Sequence, residues 1–296
     1  MDKPHEEWHH ICAYKPISAP HRFDTSILSI PRPFPILGDM IKIFLALCLA
    51  LSTFPATASD LAREKRLADE IVDMIVEGEA VWLEAGQHRF LSIYTPTTQR
   101  HPRGAAIILH GRGMHPDWSD VISPLRTALP ASGWHTLSLQ MPVLGKEAKY
   151  NDYVPLFPEA SPRIEAAIRY LRDTGVTHIV LIAHSCGAHM AMHWIARQGD
   201  KDIDAYVGIG MGATDYQQPM KEAFPLASMR VPVLDIYGSA EFPQVLKMAP
   251  ERLDAMHKAG NPQSRQIIVN GADHYFHEHN AELVIAISGW LNQLQF

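Results

Sequence analysis

Residues 179–188 read Ile179-Val180-Leu181-Ile182-Ala183-His184-Ser185-Cys186-Gly187-Ala188 and lead into a helical pattern over 188–197. A short, continuous apolar run passes through a serine and becomes a helix. Such a run suits a strand covered on both faces, which is the environment of a parallel sheet. The turn is a small-x-Ser-x-Gly elbow. The positions two before and two after the serine must be small, because larger side chains collide with the neighbouring strand and helix. Ala183 and Gly187 meet that demand, with Ala where Gly is commoner. Ser185 then projects its hydroxyl above the sheet, at a helix N-terminus that favours developing negative charge.

Outward from this elbow the pattern repeats. Apolar runs at 105–109, 134–139, 179–182, 205–209, 233–237 and 266–269 are the expected strands. Helices are expected at 162–172, 188–197, 243–258 and 281–294. The first of these has Ser161 as its N-cap, Pro162 in its first turn and Gly175 beyond its end. Upstream, 81–84 and 88–95 read as a hairpin around Ala85-Gly86-Gln87, and 61–76 is amphipathic, with Leu67, Ile71, Met74 and Ile75 at helical spacing. Alternating strand and helix predicts an α/β fold, a doubly wound, mostly parallel sheet entered by an N-terminal antiparallel hairpin. The irregular stretches 141–160 and 211–230 are expected over the C-terminal sheet edge, where such folds bind ligands.

Composition agrees with a packed domain. The 296 residues are 47% hydrophobic and 20% charged, with a net charge of -6. That balance gives no electrostatic reason to bind nucleic acid or an anionic membrane surface. Near the start, Met40-Ile41-Lys42, an apolar run over 43–51 and Ala56-Thr57-Ala58 read as a secretory signal peptide cleaved near Ala58. The run is about half the ~20 residues of a spanning helix, so no stable membrane anchor is expected. Residues 1–39 read as a mis-assigned or disordered leader, 40–58 as the signal, and 59–296 as one exported, periplasmic domain. Of Cys12, Cys48 and Cys186 only the last falls in that domain, which excludes a disulfide within it.

Three further segments bear on the chemistry. His110-Gly111-Arg112-Gly113 follows the 105–109 strand, at the loop that supplies an oxyanion-hole donor beside a nucleophile elbow. The backbone N–H groups of Arg112 and Cys186 can then face one carbonyl oxygen. Gly238-Ser239-Ala240-Glu241 and Gly271-Ala272-Asp273-His274 follow the last two strands, so Ser185, Glu241 and His274 stand in the order nucleophile, acid, base. Asp235, inside the 233–237 strand, is the alternative acid, and Asp273 reads as a turn former. His189 and His193 lack the Glu of a zinc-binding H-E-x-x-H motif, since Met190 follows His189; they and the trio His274, His277 and His279 are not assigned a metal.

On these motifs the chain from about Val81 to its end resembles the α/β-hydrolase superfamily. More narrowly, it is similar to a bacterial branch of exported α/β-hydrolase-like proteins of uncharacterised substrate. The resemblance implies acyl transfer without metal or cofactor on a small-molecule acyl substrate. Ser185 is then the nucleophile, His274 the base and Glu241 the orienting acid. The superfamily usually carries Asp at the acid position, and Glu241 is one methylene longer. Carboxylic esters are the default substrates, while thioesters and amides fit the same residues. The alternative is a catalytically silent fold acting as a periplasmic binding or assembly protein. The two readings part on whether His274 reaches the Ser185 hydroxyl.

Overall fold

The computed structural model describes residues 58–296. The expected leader and nearly all of the signal segment lie outside the described residues. Among the described residues, no helix is long and apolar enough to cross a membrane.

The chain opens with helix α1 (Leu61–Val72), started by the Asp60 carboxylate, which accepts the Arg63 N–H at 2.8 Å. The helix stops earlier than its periodicity suggests. Ile71 is buried, but Met74 and Val76 lie past the end of the helix and are exposed. Strands β1 (Glu79–Ala85) and β2 (His88–Thr95) form the expected antiparallel hairpin. The remaining strands are β3 (Gly104–Leu109), β4 (Trp134–Leu139), β5 (Ile179–His184), β6 (Ala205–Ile209), β7 (Val233–Gly238) and β8 (Arg265–Val269). They complete one eight-stranded sheet in the order β1-β2-β4-β3-β5-β6-β7-β8. From β4 to β8 every pairing is parallel, whereas β2 meets β4 antiparallel.

Helices cover both faces. On one side lie α3 (Tyr150–Tyr153), α4 (Phe157–Asp173) and α5 (Cys186–Gln198), packed on Ile107, Leu139, Leu181 and Tyr206. On the other lie α2 (Ile122–Ala128) and α7 (Asn280–Gln293), packed on Ile108, Ile182, Val207 and Ile236. Successive strand residues point to opposite faces, so a run apolar at every position feeds both cores. Helix α6 (Pro243–Ala259) packs Val245 and Ala249 against Tyr237.

One helical expectation is corrected and one helix is added. Helix α4 begins at Phe157, five residues before Pro162, which therefore lies inside it. Phe157 and Ala160 are fully buried in the core, and that burial extends the helix across a proline that lacks an N–H. Much of 141–160 is thus helical, through α3 and the first turn of α4. Helix α2 has no counterpart among the expected helices; Pro124 falls in its first turn, where a missing N–H costs no helical bond.

The chain leaves β3 for β4 on one side, while β5 and β6 build the sheet on the other. The loops following β3 and β5 therefore diverge. That divergence opens a crevice at the C-terminal ends of the strands.

Candidate active site

Ser185 sits in that crevice, between β5 and α5, with φ 55° and ψ -119°. Its N–H donates to Ile209 O at 2.9 Å. The backbone conformation is one that L-residues rarely hold, and it thrusts the side chain out of the sheet. The smallness of the flanks has a visible cause. A Cβ on Gly187 would lie 2.6 Å from His110 O, and Ala183 is fully buried between Leu109 and Gly208 on the adjoining strands.

His274 arrives on the loop after β8 and Glu241 on the loop after β7. The Ser185 Oγ–H donates to His274 Nε2 at 2.8 Å, and His274 Nδ1–H donates to Glu241 Oε1 at 2.6 Å. A carboxylate opposite Nδ1 fixes the proton there and leaves Nε2 free to accept. Glu241 Oε1 also accepts the Phe242 N–H at 2.7 Å, while the Phe242 ring stacks on His274 with centroids 4.2 Å apart. The extra methylene of Glu241 is accommodated at Gly210. There φ is +61°, and a Cβ would come within 3.0 Å of the His274 ring and 3.1 Å of Glu241 Oε2.

Asp235 is placed elsewhere. It is fully buried in β7 and accepts from Arg252 Nε and Gln266 Nε2, each at 2.8 Å. Burial pushes its carboxyl above the ordinary range, against the pull of Arg252 and Gln266. Asp273 closes a turn by accepting the Tyr275 and His277 N–H groups at 2.9 and 3.1 Å.

Two further histidines brace the centre. His110 Nδ1–H donates to Gly111 O at 2.7 Å while Nε2 accepts the Met141 N–H at 2.9 Å. His184 Nε2–H donates to His274 O at 3.0 Å, holding the backbone of that residue. Burial lowers both to about 3, so both are neutral and each keeps a defined donor. Among the described residues, neither the Arg112 nor the Cys186 N–H has an acceptor in the chain. Burial raises the Cys186 thiol to about 12, which leaves it an inert apolar neighbour.

The remaining histidines named from the sequence have protein partners. His189 Nε2–H donates to Ala213 O at 3.0 Å, and His193 Nδ1 pairs with Glu222 Oε2 at 2.8 Å. His277 pairs with Asp273 at 2.8 Å, and His279 Nδ1–H donates to His277 O at 2.8 Å.

A cleft of about 710 Å³ opens over Ser185 and His274. Arg112, Phe242 and Tyr275 line it from the loops already described and Tyr150 from the start of α3, and residues 213–219 form the facing wall. The Arg112 guanidinium is not free: its Nη1 and Nη2 both donate to Asp215. The sequence reading assigns no role to Phe242, Asp215 or His184. His184 lies within a quoted motif and Phe242 adjoins one, but Asp215 is 103 positions from its partner and carries no local signal.

A family model described as "Protein of unknown function (DUF3530)" matches residues 44–154 and 157–293. None of the curated proteins matches. Among solved structures, an α/β serine hydrolase homologue from Coxiella burnetii is 17% identical, with a TM-score of 0.57, covering 74% of this chain and 99% of its own. Est1E from Butyrivibrio proteoclasticus is 16% identical, with a TM-score of 0.56 and coverage of 73% and 98%. A lidless α/β serine hydrolase from Xanthomonas campestris is 16% identical, with a TM-score of 0.52 and coverage of 74% and 95%. The fold is therefore that of the α/β hydrolases.

Proposed function

The chain belongs to the DUF3530 family, and from its site we propose that it is a serine hydrolase cleaving carboxylic esters through an acyl-enzyme. The observation that carries the reading is the continuous relay from Ser185 Oγ to His274 Nε2 at 2.8 Å and from His274 Nδ1 to Glu241 at 2.6 Å. A fold kept only for binding has no need of a base at hydrogen-bond distance from a strained serine.

In this reading Ser185 Oγ attacks the ester carbonyl carbon while His274 Nε2 takes the hydroxyl proton. The carbonyl π electrons move to oxygen, which faces the free N–H groups of Arg112 and Cys186. Glu241 remains ionised and stabilises the imidazolium. As the tetrahedral adduct collapses, the carbon–oxygen bond to the alcohol breaks and His274 returns its proton to that oxygen. Water, deprotonated by His274, then attacks the acyl carbon; the bond to Ser185 Oγ breaks, His274 returns the proton to that oxygen, and the acid is released. No step draws on a metal or an organic cofactor. The Phe242 ring adds π density beside the imidazolium.

Fluorophosphonate labelling tests the reading. A label on Ser185, located by peptide mass spectrometry and lost in both Ser185→Ala and His274→Ala, is the expected result. A folded wild type that takes no label would return the protein to the binding or assembly role. The 40–58 segment further supports export to the periplasm. N-terminal sequencing of the secreted form is expected to start at Ser59, and a mature chain retaining residues 40–58 would exclude cleavage there.

A further inference from the structure

Arg112 stands between two glycines, and Gly113 has φ +71°. The Gly111 carbonyl is held by His110 Nδ1–H at 2.7 Å and by the Met114 N–H at 3.4 Å. The second bond closes a turn around Arg112, and the Gly113 N–H meets the Tyr153 hydroxyl; within the turn, among the described residues, neither the N–H nor the C=O of Arg112 has a hydrogen-bond partner. The hydrogen bonds of Arg112 itself are made by its side chain, whose fork grips Asp215 through Nη1 to Oδ2 and through Nη2 to Oδ1 at 3.2 Å.

Asp215, in contrast, lies on a fastened segment. It accepts the Tyr150 N–H at 2.6 Å. On either side, Arg252 donates to Met211 O at 2.9 Å, His189 donates to Ala213 O at 3.0 Å, and the Asn151 N–H donates to Gln218 Oε1 at 2.8 Å. Burial works against both charges of the pair, yet each partner outweighs it: the guanidinium stays above its ordinary pKa and the carboxyl below. The held Asp215 fixes the tilt of the Arg112 peptide within its turn.

We propose that Asp215 is a positioning residue which, through the Arg112 guanidinium, aims the Arg112 backbone N–H at the oxyanion. The inference rests on the hydrolase reading above. An N–H aimed at the oxyanion acts in the transition state, so its misplacement lowers kcat and leaves KM nearly unchanged. The bidentate geometry also means that lysine cannot replace Arg112.

The test is steady-state hydrolysis of p-nitrophenyl acetate by Arg112→Ala, Asp215→Asn and the double variant, with fluorophosphonate labelling alongside. Arg112→Ala keeps its own backbone N–H and trims a partly exposed side chain, so it is a second route if Asp215→Asn fails to fold. Loss of a whole oxyanion donor costs about 10²–10³ in kcat, and each single variant should lose about tenfold or more, with KM within about twofold. The double variant should be no slower than the slower single, because both changes break one connection. Arg112→Lys should not restore the rate. Wild-type kcat in Arg112→Ala, or losses that multiply in the double variant, would overturn the proposal. Absence of both label and turnover in the wild type would instead sink the hydrolase reading, and this inference with it.

Discussion

At the scale of single residues, Glu241 and Asp235 show how two carboxylates six positions apart take different work. Both are buried, but one faces an imidazole and the other a guanidinium. Glu241→Gln leaves a good steric match and removes the charge that stabilises the imidazolium. The analogous change in a serine protease costs about 10⁴ in kcat, and a fall of several hundredfold or more, with the melting temperature little changed, is expected here. Asp235→Ala should do the reverse. It strands Arg252 in the core, a loss of about 3–5 kcal/mol, read by urea unfolding, while the folded fraction keeps its specific activity. Equal effects of the two substitutions on kcat would undo this division. Ser185, Glu241 and His274 could be read from sequence as residues that meet, because each follows a strand in a fixed chain order. Asp215 and Phe242 could not, since their roles exist only once distant loops meet.

At the scale of elements, the strands were legible and the helix ends less so. An apolar run buried on two faces leaves little room for another assignment, and 134–139 and 205–209 fall where expected. Helix limits depend on tertiary burial, which single-sequence periodicity does not carry. Pro162 is the clearest case: a residue that marks a first turn in isolation lies mid-helix, because Phe157 and Ala160 have core sites to fill. Its ring removes the hydrogen bond to Pro158 O and crowds that carbonyl. Pro162→Ala should therefore stabilise the protein by about 1 kcal/mol, the restored bond exceeding the entropy the proline removes from the unfolded chain. A lower urea midpoint in the variant would mean that the ring packs usefully where it is.

Across the whole molecule, the strand order was not legible, because β4 could lie on either side of β3 without altering any local pattern. Buried titratable groups also act at this scale. Burial holds His110 and His184 near 3 and His189 near 4, against about 6.5 in an unfolded chain. Between those limits the unfolded state binds more protons, so stability is full above about pH 6.5 and falls with acidification. Each histidine contributes up to about 1.4 kcal/mol per pH unit in that window. Urea unfolding at pH 7 and pH 5 should differ by several kcal/mol. His189→Gln, which keeps a donor for Ala213 O, should flatten the slope by about one proton. Equal stability at the two pH values would show that these rings already admit protons in the native state.

The left-handed backbone at Ser185 carries one more consequence. A serine held at φ 55° is uncomfortable wherever the rest of the chain is content. Glycine adopts that conformation freely, so Ser185→Gly should make the protein sturdier by about 1 kcal/mol while erasing its nucleophile. Val121, Gln217, Phe276 and Glu278 share a positive φ, but only at Ser185 does the strained residue place a hydroxyl 2.8 Å from His274 Nε2; on the proposed hydrolase reading, toughness is surrendered there for reactivity.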